Sequence, residues 1–263
     1  MNIIVCIKQV PGTTNVKVDP VTGVLIRDGV QAKMNPYDLY ALEAGLQLKE
    51  KTAGKVTVIS MGPPAALAVL KEAIYMGADE GILISDRKFG GADVLATAYT
   101  ISQAIRTIDK VDLVLTGKQT TDGDTGQVGA ETAEFLNIPH FGYVTRIKVK
   151  EGQLEFVSNL DNSIMKANIT LPCLLCMDGE INTPRLPSYR RKVKYRDCEK
   201  QIRIISFSDM KDQNESKYGL KGSATQVEKI FQPEKKTERL VLEGTREQLA
   251  KDLFKVLKER KFI

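Results

Sequence analysis

The first half of the chain alternates short apolar strand patterns with helical patterns, and this alternation limits the possible folds more than any other feature. Strand patterns occur at Ile3–Ile7, Val56–Ile59, Glu80–Ile84 and Leu113–Leu115, and helical patterns at Pro36–Lys51, Pro64–Met76, Ala92–Ile108 and Ala130–Leu136. Strands that are apolar on both faces and separated by helices indicate a mostly parallel sheet covered on both sides. We therefore expect a doubly wound, Rossmann-like α/β fold with a mostly parallel sheet.

The second half follows a different pattern. Antiparallel strands are predicted at Thr145–Val149, Leu154–Val157 and Ile164–Ile169, followed by a strand at Leu171–Met177. From Asp197 onward the chain is polar, and segments 217–223 and 232–236 resemble an arm or linker. A capping box then starts an amphipathic helix over Thr245–Lys261. We expect an α/β domain at 1–196, and at 197–263 an extended arm whose C-terminal helix packs on a partner subunit.

A glycine-rich loop follows the fourth strand pattern and reads G-K-Q-T-T-D-G-D-T-G-Q-V-G over residues 117–129. Glycine lets the backbone approach a ligand closely, and the N–H groups at a helix start attract phosphate. Loops 8–14, 60–63 and 86–91 should meet this loop at the carboxyl ends of the strands. The loop predicts a phosphate or pyrophosphate site, although an ordinary turn capped by Asp122, Asp124 and Thr125 would use similar residues.

Composition narrows the function classes. The net charge of +5 and the basic run 185–196 do not by themselves indicate nucleic acid, and Trp is absent, which disfavours a stacking platform. No apolar run approaches the roughly 20 residues of a membrane helix, and the start lacks a signal-peptide pattern, so we expect a cytoplasmic protein. Cys173 and Cys176 lie three apart on a strand and should face opposite sides, which favours a structural role over redox chemistry.

Several motifs, in order along nearly the full length, resemble the small (β) subunit of an electron-transferring flavoprotein. They are Cys6–Thr14, Met34–Asp38 with Ala41–Glu43, Gly117–Gly129, Leu171-Pro172 and Thr183–Ser188. The resemblance implies a nucleotide-binding α/β subunit that pairs with a larger α subunit carrying a redox-active FAD. Segments Asp122–Gly129 and Ser158–Met165 look more like the electron-bifurcating branch, which favours FAD over AMP in this subunit.

The resemblance also implies which residues hold the cofactor and the partner. Backbone N–H groups of 123–129 would bind the pyrophosphate, and Lys8, Gln9 and Asn35 would edge the adenosine or flavin. The expected cofactor-binding residues are Cys6, Lys8, Gln9, Asn35, Asp38, Met61, Gly62, Gln119, Thr120, Thr121, Asp122, Gly123, Asp124, Thr125, Gly126, Gln127, Val128 and Gly129. The basic segment would present Tyr189, with Leu186, Arg190 and Arg191, to a flavin-dependent dehydrogenase such as one of the acyl-CoA dehydrogenase type.

In the bifurcating members, the β-subunit flavin takes a hydride from NADH. One electron then goes to ferredoxin or flavodoxin, and the other goes through the α-subunit FAD to the dehydrogenase. A flavin performs this chemistry itself, so we expect neither a catalytic triad nor a metal. Two other interpretations stay open: a non-bifurcating carrier subunit that holds structural AMP, and a stand-alone adenine-nucleotide-binding regulatory protein.

Overall fold

The computed structural model describes residues 1–12, 17–18, 25–26, 32–228 and 240–263. The strands are β1 (Asn2–Cys6), β2 (Gln9–Pro11), β3 (Lys17–Val18), β4 (Leu25–Ile26), β5 (Ala32–Met34), β6 (Lys55–Met61), β7 (Glu80–Ile84), β8 (Leu113–Gly117), β9 (His140–Lys150), β10 (Gln153–Leu160), β11 (Ser163–Thr170), β12 (Cys173–Met177) and β13 (Ile202–Ile205). The helices are α1 (Pro36–Thr52), α2 (Leu67–Met76), α3 (Val94–Ile105), α4 (Val128–Leu136), α5 (Tyr189–Lys194), α6 (Gly219–Gly222) and α7 (Arg246–Glu259). The predicted linker 232–236 and the end of loop 8–14 lie outside the described residues.

The centre of the fold is a nine-stranded sheet in the order β11-β10-β9-β12-β8-β1-β6-β7-β13. Strand β1 pairs in parallel with both β6 and β8, and β7 and β12 continue the parallel arrangement. Strand β9 is parallel to β12 but antiparallel to β10, which in turn is antiparallel to β11. The predicted mostly parallel sheet with an antiparallel extension is confirmed.

Two hydrophobic clusters cover the two faces of the sheet, because successive strand residues point to opposite sides. Ile3 and Val5 pack with residues of α1 and α2, whereas Ile4 packs with residues of α3 and α4. Cys173 belongs to the cluster with α1 and α2, and Cys176 belongs to the cluster with α3 and α4. Both are buried free thiols. The helices therefore lie on both faces, as the alternating pattern predicts.

The boundaries of the helices differ in places from their predicted limits. The predicted helix 64–76 is divided into a short 3-10 helix at Pro64–Ala66 and α2, and α3 is shorter than its pattern at both ends. Helix α4 begins two residues earlier than predicted, while the capping box of Thr245 and Gln248 at α7 is present. Within the described ranges, no helix has the length and apolar character that a membrane crossing requires.

The chain after Asp197 is not uniformly irregular, and the sequence interpretation of this region is wrong for two segments. Strand β13 adds to the sheet edge in parallel with β7. Tyr218, within the supposed linker 217–223, is only 1% exposed and packs against the rings of Phe89, Tyr99 and Phe207. Burial of these apolar groups holds the segment on the α3 side of the domain. Helix α7, in contrast, has no buried residue.

Candidate functional site

The order of the strands creates a crevice beside β1. From β1 the chain passes through α1 to β6 on one side, and from β7 it passes through α3 to β8 on the other side. The loops after β1 and β8 therefore lead to helices on opposite faces of the sheet. Such a topological switch point is where ligands of open α/β sheets bind. We call the space between these two loops the switch-point crevice.

The two walls of the switch-point crevice are bonded to each other. The Lys8 ammonium lies 2.8 Å from both carboxylate oxygens of Asp122. The buried Asn35 amide donates to the Gln119 carbonyl at 2.9 Å, and its oxygen accepts the Thr121 N–H at 3.2 Å. These contacts fix residues 119–122 of the glycine-rich loop against the end of β1 and the start of α1.

The Asp38 carboxylate also connects the two walls of the switch-point crevice. Its carboxylate accepts the Lys8 backbone N–H at 2.7 Å, and a Cβ added to Gly117 would lie 2.5 Å from it. Burial raises the pKa of Asp38 to about 7, although hydrogen bonds from Asn35 and from the Lys8 and Gly117 backbones oppose that rise. In this structure Asp38 connects strand ends and is 5% exposed. It therefore positions the crevice walls and does not face the solvent.

The rest of the loop is exposed from Thr121 to Gln127 and leads directly into α4. Asp124 and Gly126 have φ values of 50° and 67°, and Gln119 donates to the Asp124 carboxylate at 3.0 Å. Gln127, the N-cap of α4, makes no side-chain capping hydrogen bond. The first-turn N–H groups of α4 are thus left for solvent or a ligand, with the positive end of the helix dipole behind them.

Two carboxyl groups near this helix start, those of Asp122 and Glu131, would oppose an anion if they were unbalanced. Burial disfavours ionisation of Asp122, but the Lys8 hydrogen bond and charge outweigh it and lower the Asp122 pKa. Asp122 is therefore ionised and neutralised by its partner. Burial raises the pKa of Glu131, which lies in the first turn of α4, and the nearby charge of Asp93 raises this pKa further. At the helix start, the negative charge of Asp122 is thus offset by the positive charge of Lys8.

Some of the predicted cofactor residues face the core. Cys6, Met61 and Val128 pack against the α3–α4 cluster, and burial followed by the charges of Asp38 and Cys176 keeps the Cys6 thiol protonated by raising its pKa. A Cβ added to the buried Gly129 would lie 2.6 Å from Cys176 Sγ, so this glycine allows α4 to pack closely on β12. Cys6, Met61, Val128 and Gly129 therefore belong to the core packing next to the switch-point crevice.

Gln9 and Gly62 lie at the neighbouring strand ends. The Gln9 side chain donates to the Ala65 carbonyl at 3.1 Å, and the Gly62 N–H donates to the Ile84 carbonyl at 3.0 Å. Both residues therefore organise the end of β6. They lie at the carboxyl edge of the sheet, as expected.

Sequence reasoning missed a charged pair on the other side of β8. The Lys118 ammonium lies 2.9 Å from Asp178, which follows β12, and 5.2 Å from the centre of the Tyr37 ring. The hydrogen bond to Asp178 raises the Lys118 pKa despite partial burial. Lys118 belongs to the glycine-rich motif, but no local signal connects it to a residue 60 positions away. Among the described residues, no three His, Cys, Asp or Glu side chains form a possible metal site.

The predicted partner-binding residues have two different environments. Leu186 and Tyr189 are 85% and 80% exposed, and Arg190 is also exposed. Arg191 instead turns inward and donates to the carbonyls of Ile74 and Ala78 at 2.9 and 2.8 Å. The structure therefore exposes Leu186, Tyr189 and Arg190 to the solvent. Arg191 instead binds the end of α2.

The fold and the crevice define a class: a doubly wound α/β protein with a glycine-rich loop at its topological switch point. A family model described as an electron transfer flavoprotein domain matches residues 22–205. This range includes the glycine-rich loop, α4 and the antiparallel extension.

Relatives match over all or nearly all of the chain. The electron transfer flavoprotein subunit beta of Clostridium acetobutylicum is 42% identical over 263 residues, covering all of both chains. The caffeyl-CoA reductase-Etf complex subunit CarD of Acetobacterium woodii is 42% identical over 265 residues, again covering all of both. Protein FixA of Bradyrhizobium diazoefficiens is 39% identical over 262 residues, covering 96% of this chain and 90% of its own.

This chain belongs to the electron transfer flavoprotein beta-subunit family. Beta subunits of this family pair with an alpha subunit and take part in electron transfer. The family is associated with bound flavin or AMP.

Proposed function

We propose that this chain is the β subunit of an electron-bifurcating flavoprotein and that its switch-point crevice binds FAD. NADH is the proposed electron donor. Ferredoxin or flavodoxin is one proposed acceptor, and a flavin-dependent dehydrogenase, reached through the FAD of the α subunit, is the other. The observation that carries the proposal is the glycine-rich loop that enters α4 without a side-chain cap, beside the ammonium group of Lys8.

The residues present fit a dinucleotide pyrophosphate. The first-turn N–H groups of α4 have no side-chain cap, and Asp124 and Gly126 turn the backbone through the left-handed region. This geometry resembles other phosphate-binding loops at helix N-termini. Lys8 neutralises Asp122, the carboxylate that would otherwise repel an anion. We propose that backbone N–H groups within 123–129, other than that of Asp124, which donates to the Thr120 carbonyl at 2.9 Å, hold the phosphates. Lys8 would keep Asp122 from repelling them.

When bound, FAD would supply hydride acceptance from NADH and division of the electron pair between two acceptors. The protein's own residues supply position and charge. Asn35 and Asp38 hold the two walls at a fixed separation through their backbone contacts. Lys118 keeps a positive charge beside Tyr37 at the same edge of the sheet.

Two observations favour the bifurcating assignment over a simple carrier that holds AMP. The loop reads Asp122-Gly-Asp-Thr-Gly-Gln-Val-Gly129, the form found in the bifurcating branch that the sequence resembles. A relative covered over its full length is named as a subunit of a caffeyl-CoA reductase-Etf complex, an assembly that includes a reductase. The four free thiols suit the reducing cytoplasm, which we propose as the location.

We propose that α7 and the chain leading to it bind the α subunit. The face of α7 carries Leu253 and Phe254 at 50% and 59% exposure, and no residue of the helix is buried. An amphipathic helix of this kind gains stability by placing its apolar face on another surface. The segment 197–263 would then contribute both to the α/β domain, through β13 and Tyr218, and to the heterodimer.

The test is made on the chain co-expressed with its α subunit. Flavin is counted per heterodimer by absorbance, and the released nucleotides are identified by chromatography. Two FAD and no AMP are expected. One FAD with one AMP would instead support the simple carrier, and an adenine nucleotide without any flavin would support the regulatory protein.

A matched pair of variants tests the site itself. Lys8→Gln removes the charge from the crevice and should lower nucleotide occupancy, whereas Lys51→Gln removes an exposed charge at the far end of α1. Equal occupancy in the two variants would contradict the role assigned to Lys8.

A further inference from the structure

The exposed anchors Leu186 and Tyr189 lie between two arginines, Arg185 and Arg191, whose guanidinium groups bind the domain. We call these two attachments the first and second clamp. We define residues 183–191 as the anchor segment. Arg185 precedes both anchors and Arg191 follows both, and each arginine binds a different helix of the domain. The anchor segment is therefore attached to the domain on both sides of the surface it presents.

The first clamp binds the segment to α1. Arg185 donates through Nε and Nη2 to both oxygens of Glu43, at 2.7 and 3.0 Å, and through Nη1 to Glu50 at 2.7 Å. Its backbone N–H also donates to Glu43 at 3.2 Å. Glu43 is only 4% exposed, and although burial opposes its ionisation, the Arg185 hydrogen bonds lower its pKa. A planar, two-pronged pair with a buried carboxylate fixes direction as well as distance.

The second clamp binds the segment to the end of α2. Arg191 donates to the carbonyls of Ile74 and Ala78, and the Ser188 N–H donates to the Tyr75 carbonyl at 3.0 Å. The Ile74 carbonyl lies in the last turn of α2, where the helix carries partial negative charge, so a guanidinium group suits it. Ser188 also caps the short α5, accepting the Arg191 N–H at 3.3 Å.

We infer that Arg185 and Arg191 are positioning residues that preorganise the anchor segment for the partner dehydrogenase. This inference rests on the proposed function, because it takes the dehydrogenase as the protein that binds Leu186 and Tyr189. Exposed apolar side chains on a free loop would have to be ordered during binding, which weakens affinity. With the backbone already fixed at both sides, that ordering cost is reduced before the partner arrives.

The test uses the heterodimer and, as probe, an acyl-CoA dehydrogenase from the same cells. Arg185→Gln should raise the KM for the dehydrogenase about tenfold, with kcat unchanged, because losing about 1.4 kcal/mol of preorganisation corresponds to a factor of ten. Flavin content and reduction of an artificial dye should not change. Arg196→Gln, an exposed arginine just beyond α5, is the control and should leave the KM within about twofold.

A second variant and a second readout keep the inference testable if Arg185→Gln folds poorly. Glu50→Gln weakens the clamp without leaving Glu43 unpaired, since Glu50 is exposed and binds only Nη1. In both variants, hydrogen exchange of the backbone amides of Leu186 and of residues 188–190 should quicken at least about tenfold, while exchange in the core strands should stay the same. Unchanged exchange, or unchanged KM with faster exchange, would overturn the inference. If Arg185→Gln quickens hydrogen exchange but the wild-type heterodimer does not bind the probe, the dehydrogenase is not the partner. The ordering role of Arg185 would still be supported.

Discussion

Asp38 should make the stability of this protein depend on pH in a way that a single substitution removes. It is 5% exposed, and burial raises its pKa from 3.8 to about 7. A carboxyl group with a raised pKa in the folded state prefers to be protonated there. Its contribution to stability is therefore complete below about pH 4 and is lost as the pH rises through about 7.

The size of the effect follows from the two pKa values. The difference between 3.8 and about 7 corresponds to about 4 kcal/mol at 25 °C, since each pKa unit is worth about 1.4 kcal/mol. Asp38→Asn is neutral at every pH, so it cannot show this loss. Relative to wild type, the variant should gain about 4 kcal/mol in free energy of unfolding between pH 4 and pH 8.

The assay is urea unfolding of wild type and Asp38→Asn at several pH values, followed by circular dichroism. The pH-independent cost of placing an amide beside the Lys8 and Gly117 backbones shifts the whole curve but does not change its slope. Asp161→Asn, at an exposed turn, is the control and should run parallel to wild type. A constant difference between wild type and Asp38→Asn would show that the hydrogen bonds to the carboxylate fully offset its burial, and the reasoning would be refuted.

Three further predictions concern packing and assembly. Gly129→Ala should cost about 1–3 kcal/mol in free energy of unfolding, because its Cβ would meet a sulfur at 2.6 Å and a hydroxyl oxygen at 2.8 Å. Gly142→Ala, with nothing within 4 Å, should change stability by less than about 0.5 kcal/mol. Tyr218→Ala should lower the free energy of unfolding by about 3–5 kcal/mol, as loss of a buried aromatic ring does. Val227 is 79% exposed, so Val227→Ala should be almost neutral. Ending the chain after Gly244, just before α7, should leave chemical stability within about 1 kcal/mol, because no residue of α7 is buried, but should abolish co-elution with the α subunit in size-exclusion chromatography.

The strands and helices of the α/β core could be read from local patterns because their periodicity is local. A strand that is apolar on both faces and a helix with apolar residues on one side each leave a signal within ten residues. The glycine-rich loop was visible for the same reason, since turn chemistry depends on adjacent residues. Strand β13 was missed because four residues between charged segments carry too short a pattern.

The site depended on contacts between distant parts of the chain. Lys8 and Asp122 are 114 residues apart, and Glu43 and Arg185 are 142 apart. No local pattern pairs such residues, so sequence reasoning placed Arg191 on the partner-binding surface and Asp38 among the cofactor contacts. The structure places Arg191 against the end of α2 and Asp38 between two strand ends.

The sequence by itself determined the element types, the family resemblance and the residues from which a phosphate-binding loop could be built, because each of these is encoded within short stretches. Only the tertiary structure decided which charges face each other, which glycines allow close packing, and which residues of the anchor segment are free. Those properties depend on distance and burial, and these arise when the sheet brings remote segments together.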